Sequence, residues 1–426
     1  MLRMRVVSGT TLVAIVLSVA ACTSETPPSQ PASVGEVKVG VLAPTSGSNR
    51  AAGIQAQRGA ELAAALVSGE QGSTPLLGTS DGAGGIKLTI VREDTQSNPE
   101  AAADAAAKLV SEDKVAGLVG AFDTEATRVA SERIERLRVP FVNGDTSADF
   151  LTERGKDWFF RTGPTDRMFG EAFFSALGRI AGGGQRVAAV FSNDQRGNVL
   201  VDLTQELAGE GGFSMAKEDK IPLATGGDPV AAVQKVQARQ PDAVFVIAST
   251  PDDAVALTKA FSQARYTPKG IFAFGPGFVA ADAFGAAGDD ADGLFAATAW
   301  SREVAGRNQA AKQVMDLYEQ QFGQPMSQVA AGSFTAVLAL AEAVRRAGST
   351  DPQRVRAALL NMDVPGQDLI MPWSGIRFDT AHQNAAAAAV VEQRINGQFR
   401  VVFPDELQQE DDAAVWPLSD LRGGGT

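Results

Sequence analysis

Residues 37–67 read VKVGVLAPTSGSNRAAGIQAQRGAELAAALV. Lys38 to Leu42 is a short β-branched run of the kind that fills a buried strand, Pro44 to Gly47 supplies turn chemistry, and Ile54 to Val67 repeats its apolar positions at helical spacing. Strand, turn and helix in that order make half of a crossover unit. The chain then repeats it: strand Leu88 to Arg92, helix Pro99 to Val110, strand Val115 to Val119, helix Glu125 to Leu137 and strand Val139 to Val142. Such alternation predicts an open, twisted sheet with helices on both faces.

A second series begins near Gln185, with strand Arg186 to Phe191, a polar loop Ser192 to Arg196 and a helix Asn198 to Ala208. Ala243 to Ile247 predicts a strand running into Thr250-Pro251, where a capping hydroxyl precedes a proline suited to the first helical position. Strand Ile271 to Phe274 follows, then helices near Gln309 to Gln321, Ala330 to Ala347 and Asp351 to Leu360. Val390 to Ile395 and Phe399 to Phe403 flank Asn396-Gly397, a short-range hairpin signal. After Pro404 the chain is acidic and Gly-rich, which predicts a loosely held tail; a docked strap through Trp416 is the alternative.

The chain is too long for one growing core, so two doubly wound α/β lobes are expected. With 44% hydrophobic and 21% charged residues its composition is that of a globular protein, and a formal charge of -12 argues against nucleic acid as a partner. One histidine, His382, and one cysteine, Cys22, leave no Cys/His metal set and no Cys/His nucleophile pair. Gly78 to Gly82 matches G-x-S-x-G, but a nucleophile elbow needs a strand before it and a helix after it, whereas residues 69–85 are loop-like on both sides. Neither an enzyme activity nor a cofactor is expected, and silencing Ser80 or His382 should leave function intact.

Arg3 and Arg5, the apolar run from Leu12 and the small pair Ala20-Ala21 lay out a secretory signal. The run is about half of the roughly twenty residues that span a bilayer. Val19-Ala20-Ala21-Cys22 resembles the bacterial lipobox, which implies cleavage before an acylated Cys22; an ordinary signal peptide with a chance cysteine is the alternative. The Ser/Thr/Pro-rich stretch Thr23 to Glu36 then reads as a flexible tether.

Val37 to Ala60, Leu88 to Asp94, Asn98 to Val110, Val115 to Thr127, Val139 to Leu151, Trp158 to Thr162, Ala188 to Gly197 and Gly275-Pro276 together resemble the leucine/isoleucine/valine-binding family of solute receptors, with the type I periplasmic-binding-protein fold. The resemblance implies a monomeric receptor that captures a small polar molecule between two lobes and passes it to the permease and ATPase subunits of an ABC importer. It places the protein at the extracytoplasmic face of a bacterial cell membrane. A sensor or envelope scaffold with the same fold is the alternative.

The expected organisation is signal peptide 1–21, acylated cysteine and tether 22–36, lobe 1 at 37–163 plus 298–386, lobe 2 at 164–297 plus 387–404, and tail 405–426. Hinges are expected near Thr162 to Asp166, Thr298 to Trp300 and Ala385 to Ala389. In open α/β sheets ligands sit beyond the carboxyl ends of strands, which selects Phe122, Asp123 and Thr124 on one loop and Asp145 and Ser147 on the next. The resemblance implies that the hydroxyls of Thr124 and Ser147 bind an amino-acid carboxylate and amine. It also shows three departures: the acidic partner of a ligand ammonium falls at Gly277, the first-lobe aromatic at Ala52, and the aromatic before Gly197 at Arg196. Asp145 is therefore the candidate substitute for the missing acid. Arg50 and Arg196, one from each lobe, are candidates to clamp an anionic or polyhydroxylated cargo, and Phe122 and Trp300 to stack on a ring; solvated loop and packing roles are the alternatives.

Overall fold

The computed structural model describes residues 35–71, 76, 86–279, 282–409 and 412–422. Cys22, the expected signal and tether through Val34, and the G-x-S-x-G stretch with Ser80 lie outside them.

The first half follows the expected alternation: β1 (Glu36–Ala43), α1 (Arg50–Val67), β2 (Lys87–Asp94), α2 (Pro99–Ser111), β3 (Gly117–Val119), α3 (Thr124–Leu137), β4 (Phe141–Asn143), a short α4 (Phe150–Glu153) and β5 (Phe159–Arg161). All these strands pair in parallel in the order β2-β1-β3-β4-β5. Their β-branched and aromatic residues face helices on both sides, as a two-sided parallel sheet requires.

The second series comprises α5 (Asp166–Ala181), β6 (Val187–Ser192), α6 (Gln195–Glu210), β7 (Lys220–Leu223), α7 (Pro229–Gln237), β8 (Ala243–Ile247), α8 (Pro251–Gln263), β9 (Gly270–Phe274), the short α9 (Ala283–Ala287) and β10 (Leu294–Thr298). The chain continues through α10 (Arg302–Ala305), α11 (Gln309–Phe322), α12 (Gln328–Ala347), α13 (Pro352–Leu360), a small pair β11 (Val364–Pro365) and β12 (Gly375–Ile376), then β13 (Val390–Ile395), β14 (Gln398–Phe403) and α14 (Ser419–Arg422). The second sheet runs β14-β13-β10-β9-β8-β6-β7. Its β7-β6-β8-β9-β10 portion repeats the parallel order of the first sheet, and the Asn396-Gly397 hairpin adds two antiparallel strands at the edge.

Each sheet with its helices is a lobe, and the chain leaves one for the other between β5 and α5, after β10, and before β13. Stacked and edge-on contacts among Phe173, Phe174, Phe245, Phe272 and Phe295 fill the second lobe. In the first lobe α12 is buried from Val329 to Val344, all the way round, as its apolar composition demands. It lies so close to α1 that a Cβ on Gly59 would fall 2.0 Å from the Ala330 carbonyl oxygen.

Three local expectations change. Helix α1 begins at Arg50 rather than Ile54, because the small residues Ala51 to Gly53 continue the helix without contributing an apolar stripe. Helix α6 begins at Gln195 rather than Asn198: Asp194 caps it by accepting the Gly197 N–H at 2.7 Å, so Arg196 stands in the first helical turn. The tail is docked where it is described. Gln393 holds Val415 through its amide at 2.8 and 3.0 Å, Leu418 is fully buried, and a Cβ on Gly270 would strike the Trp416 ring. The apolar Trp416 and Leu418 thus outweigh the acidic composition around them. His382 stacks on Phe160 at 4.4 Å and lies against the Phe159 carbonyl; burial lowers its pKa. Removing it costs packing, so a His382 substitution is not structurally silent.

Candidate functional site

A cleft of about 790 Å³ lies between the lobes. In each sheet the strand order reverses beside the first strand of the series, β1/β3 in one and β6/β8 in the other, and crevices outside such switch points receive ligands. The loops at those points line this cleft: Ser48 and Asn49 after β1, Phe122 to Thr124 after β3, Arg196 at the end of the loop after β6, and Ser249 to Asp252 after β8.

On the lobe 1 side, Asp123 is the N-cap residue of α3 and Thr124 its first helical residue. Thr124 lines the cleft and does not cap the helix. Asn49 donates its amide N–H to Asp123 Oδ1, while Oδ2 is shielded from solvent without a partner. Burial raises the Asp123 pKa against that hydrogen bond. Asp145 lines the cleft from the loop after β4. The residue as a whole is half-buried, but both carboxylate oxygens are shielded and neither has a partner, and burial pushes its pKa up to about 7. This loop is pressed against α12: a Cβ on Gly144 would fall 2.2 Å from the Gly332 carbonyl oxygen, and one on Gly332 would fall 2.8 Å from Asp145 Oδ1.

Ser147 also lines the cleft, and there the lobes meet. Asp166, at the start of α5, donates its backbone N–H to the Ser147 carbonyl at 2.8 Å, and Arg196 Nη2 donates to Ser147 Oγ at 3.3 Å. The same guanidinium takes Asp166 in a two-pronged grip at 2.5 and 2.6 Å. Burial works against the Arg196 charge, but Asp166 beside it holds the pKa above the ordinary value.

The two arginines are placed differently with respect to the cleft. Arg50 is exposed at the first turn of α1 and does not line the cleft, since its neighbours Asn49 and Ala51 face that way instead. Arg196 does line it, with its charge already matched by Asp166. Phe122 is half-buried on the cleft wall; Trp300 also lines it, but is only 2% exposed, its indole N–H donating to the Met326 carbonyl at 3.1 Å. Gly277 lies outside the lining, and its turn explains the missing acid: a Cβ there would sit 2.4 Å from the Thr250 carbonyl oxygen, so this backbone admits no side chain.

Several site residues escaped the sequence reading. Glu392 on β13 is 2% exposed, accepts a hydrogen bond from the Ser301 hydroxyl and lines the cleft, and burial pushes its pKa up to about 7. An acid between Val391 and Gln393 in an otherwise buried strand was the available signal. Gln328, at the start of α12, accepts from Thr298 Oγ1 at 2.7 Å and the Ala299 N–H at 2.8 Å, tying the second crossover to lobe 1. Arg161 is fully buried; it donates to the Ala148 carbonyl at 2.6 Å, Thr152 Oγ1 at 2.8 Å and Gln383 Oε1 at 2.6 Å, and burial lowers its pKa to about 10. It therefore sets the loop carrying Ser147 against the third crossover.

Known proteins bear on this geometry. Residues 36–398 match the periplasmic binding protein family. A Leu/Ile/Val-binding protein homolog 7 of Brucella abortus is 24% identical over 405 residues, covering 92% of this chain and 96% of its own length. The leucine-binding protein LivK of Thermotoga maritima superposes with a TM-score of 0.68 at 22% identity, covering 86% of this chain and 97% of that one. A solute-binding protein of Rhodopseudomonas palustris, solved with benzoate, gives a TM-score of 0.68 at 20% identity over 89% and 99%. Profile, strand order and interlobe cleft agree, and the chain belongs to the periplasmic binding protein family.

Proposed function

We propose that this protein is a lipid-anchored extracytoplasmic receptor that closes its two lobes on a small solute and delivers it to the permease and ATPase subunits of an ABC importer. The observation that carries the reading is the coincidence of both switch points on one cleft, with the connections between the lobes beside it. A ligand touching both rims favours the closed arrangement, and it shifts that equilibrium by its differential affinity for the two states. Relatives named for leucine, isoleucine and valine and a neighbour solved with benzoate support a small organic solute as the cargo. Capture and release need no chemical step, so the protein is read as a binder and not an enzyme.

Among the described residues no helix is long and apolar enough to cross a membrane. The anchor in this reading is Cys22 with its acyl chains, two of which suffice for stable attachment. Thr124, Asp145 and Ser147 are assigned to the ligand from lobe 1, with Phe122 and Asp123 beside them and Arg196 from lobe 2. The receptor function is tested by melting the protein with a panel of amino acids, aromatic acids, amines, polyols and amides. A bound solute at a hundred times its Kd adds about 2.7 kcal/mol, and the same solute must compact the protein in small-angle scattering. A panel that shifts nothing removes the receptor reading. The anchor is tested separately by loss of acyl label and of membrane association in Cys22→Ala.

A further inference from the structure

If the cleft holds cargo, as proposed above, its side chains restrict the cargo's charge. Among the described residues lining it stand five acids, Asp123, Asp145, Asp166, Asp252 and Glu392, and one base, Arg196. That base is held by Asp166 through both terminal nitrogens, the two-pronged geometry in which a guanidinium binds a carboxylate most strongly, and only its Nε–H is buried without an acceptor. A second anion would have to displace a carboxylate that is itself only 2% exposed.

Buried polar atoms are nearly always hydrogen-bonded, so an exception marks a missing partner. Both carboxylate oxygens of Asp145 and Oδ2 of Asp123 are such exceptions, on adjacent loops of lobe 1 at the cleft. What they lack is a donor, and for an ionised carboxylate the strongest donor is a cation. The start of α3 is the natural place for an anion, but Asp123 stands at its N-cap and Glu125 in its first turn, so negative charge is already there. Among the described residues no three acidic, His or Cys side chains converge as a metal ion would require. The wall also carries aromatic rings, among them Phe122, Phe274, Phe278, Phe284 and Phe399. Such surface takes an apolar body and also attracts a cation to ring faces.

We propose that the cargo is an organic amine without a carboxylate, its ammonium donating to Asp145 and its apolar body lying on the aromatic wall. Because burial pushes the Asp145 carboxyl up to about 7, capture of the cation at neutral pH draws out the ionised form and releases a proton.

Calorimetry on the full chain with phenethylamine, phenylalanine and phenylpropionate separates charge from shape, since the three share a phenyl-alkyl body. Putrescine, leucine and benzoate extend the series to other bodies. An amine is expected to bind at least about tenfold more tightly than its carboxylate-bearing analogues, with proton release that scales with buffer ionisation enthalpy. Asp145→Asn, nearly the same shape, is expected to weaken amine binding about 10- to 100-fold, as loss of a charged hydrogen bond does. Undiminished amine binding in that variant overturns the assignment, as does absence of proton release in the wild type, a readout that needs no variant to fold. If phenylalanine, leucine or benzoate binds and no amine does, the charge class is wrong and the receptor reading stands; if no compound of any class binds, both fall.

Discussion

The two lobes share a strand order and offer the same kind of rim to the cleft, yet the carboxylates at their strand ends differ in how far they are paired. In lobe 2, Asp194 accepts from the Gly197 N–H at 2.7 Å and Ser249 Oγ at 2.8 Å, Asp253 accepts from Ser192 Oγ at 2.6 Å, and Asp166 has Arg196. In lobe 1, Asp145 has nothing and Asp123 is half satisfied. Topology fixes where a rim lies and leaves open whether its polar groups are complete. A carboxylate with its donors in place holds its position alone, whereas an unpaired one carries an energetic cost that a partner can relieve.

The contrast breaks most visibly at the lobe 2 pair. Arg196→Met leaves Asp166 as an uncompensated buried charge and is expected to cost about 3 to 5 kcal/mol in denaturant unfolding. A loss below about 1 kcal/mol would mean that Asp166 is served by water and that the two rims differ little. Next in size is Arg161→Lys. A point charge with three donors cannot reach the acceptors that the planar guanidinium spans. The expected loss is roughly 1.5 to 3 kcal/mol, accompanied by weaker solute binding as the Ser147 loop loosens. Stability lost with no change in binding would show that the loop is held by α12 alone.

Asp145→Asn should move stability the other way. The carboxyl ordinarily titrates at 3.8 and here sits at about 7. Between those values the folded state binds more protons than the unfolded one, so this group's contribution falls as pH rises and stays at its lowest above the folded value. Glu392 titrates in the same range, but it is present in both proteins and cancels. The unliganded variant is expected to be more stable than the wild type by about 1 to 3 kcal/mol above neutral pH, with the gap closing as pH approaches about 4. A pH-independent difference would show that water already solvates Asp145, and the incomplete rim would be lost as an explanation.

Much of the fold was legible because helix and strand periods differ and their caps are local. Asn98, Thr250 and Asp351 cap helices with proline at the first position, and each side chain accepts from the first turn as its sequence context requires. The loops at the strand ends were legible for the same reason, so the sequence alone puts Asp145 and Ser147 on a loop that lines the cleft. What could not be read was pairing across long sequence separations. Nothing near Arg196 indicates that Asp166 will neutralise it, and nothing near Trp158 to Thr162 indicates that Arg161 will reach Gln383. The missing acid at Gly277 was visible as an absence, but its cause, the carbonyl of Thr250 behind it, belongs to the folded backbone.

The smallest expected effect on stability falls on Thr124, between the incomplete acids and the helix they adjoin. As the first helical residue of α3 it gives its side chain no part in the cap, and it remains half-buried at the cleft. Thr124→Ala should therefore leave unfolding within about 0.5 kcal/mol of the wild type. Its hydroxyl, if it meets cargo, contributes one hydrogen bond of about 0.5 to 1.5 kcal/mol, a loss of up to roughly tenfold in affinity. Unchanged affinity for whichever solute the melting panel identifies removes Thr124 from the ligand. The lobe 1 rim would then act through its carboxylates and Ser147, and the amine assignment would gain at the expense of a cargo held by the Thr124 hydroxyl.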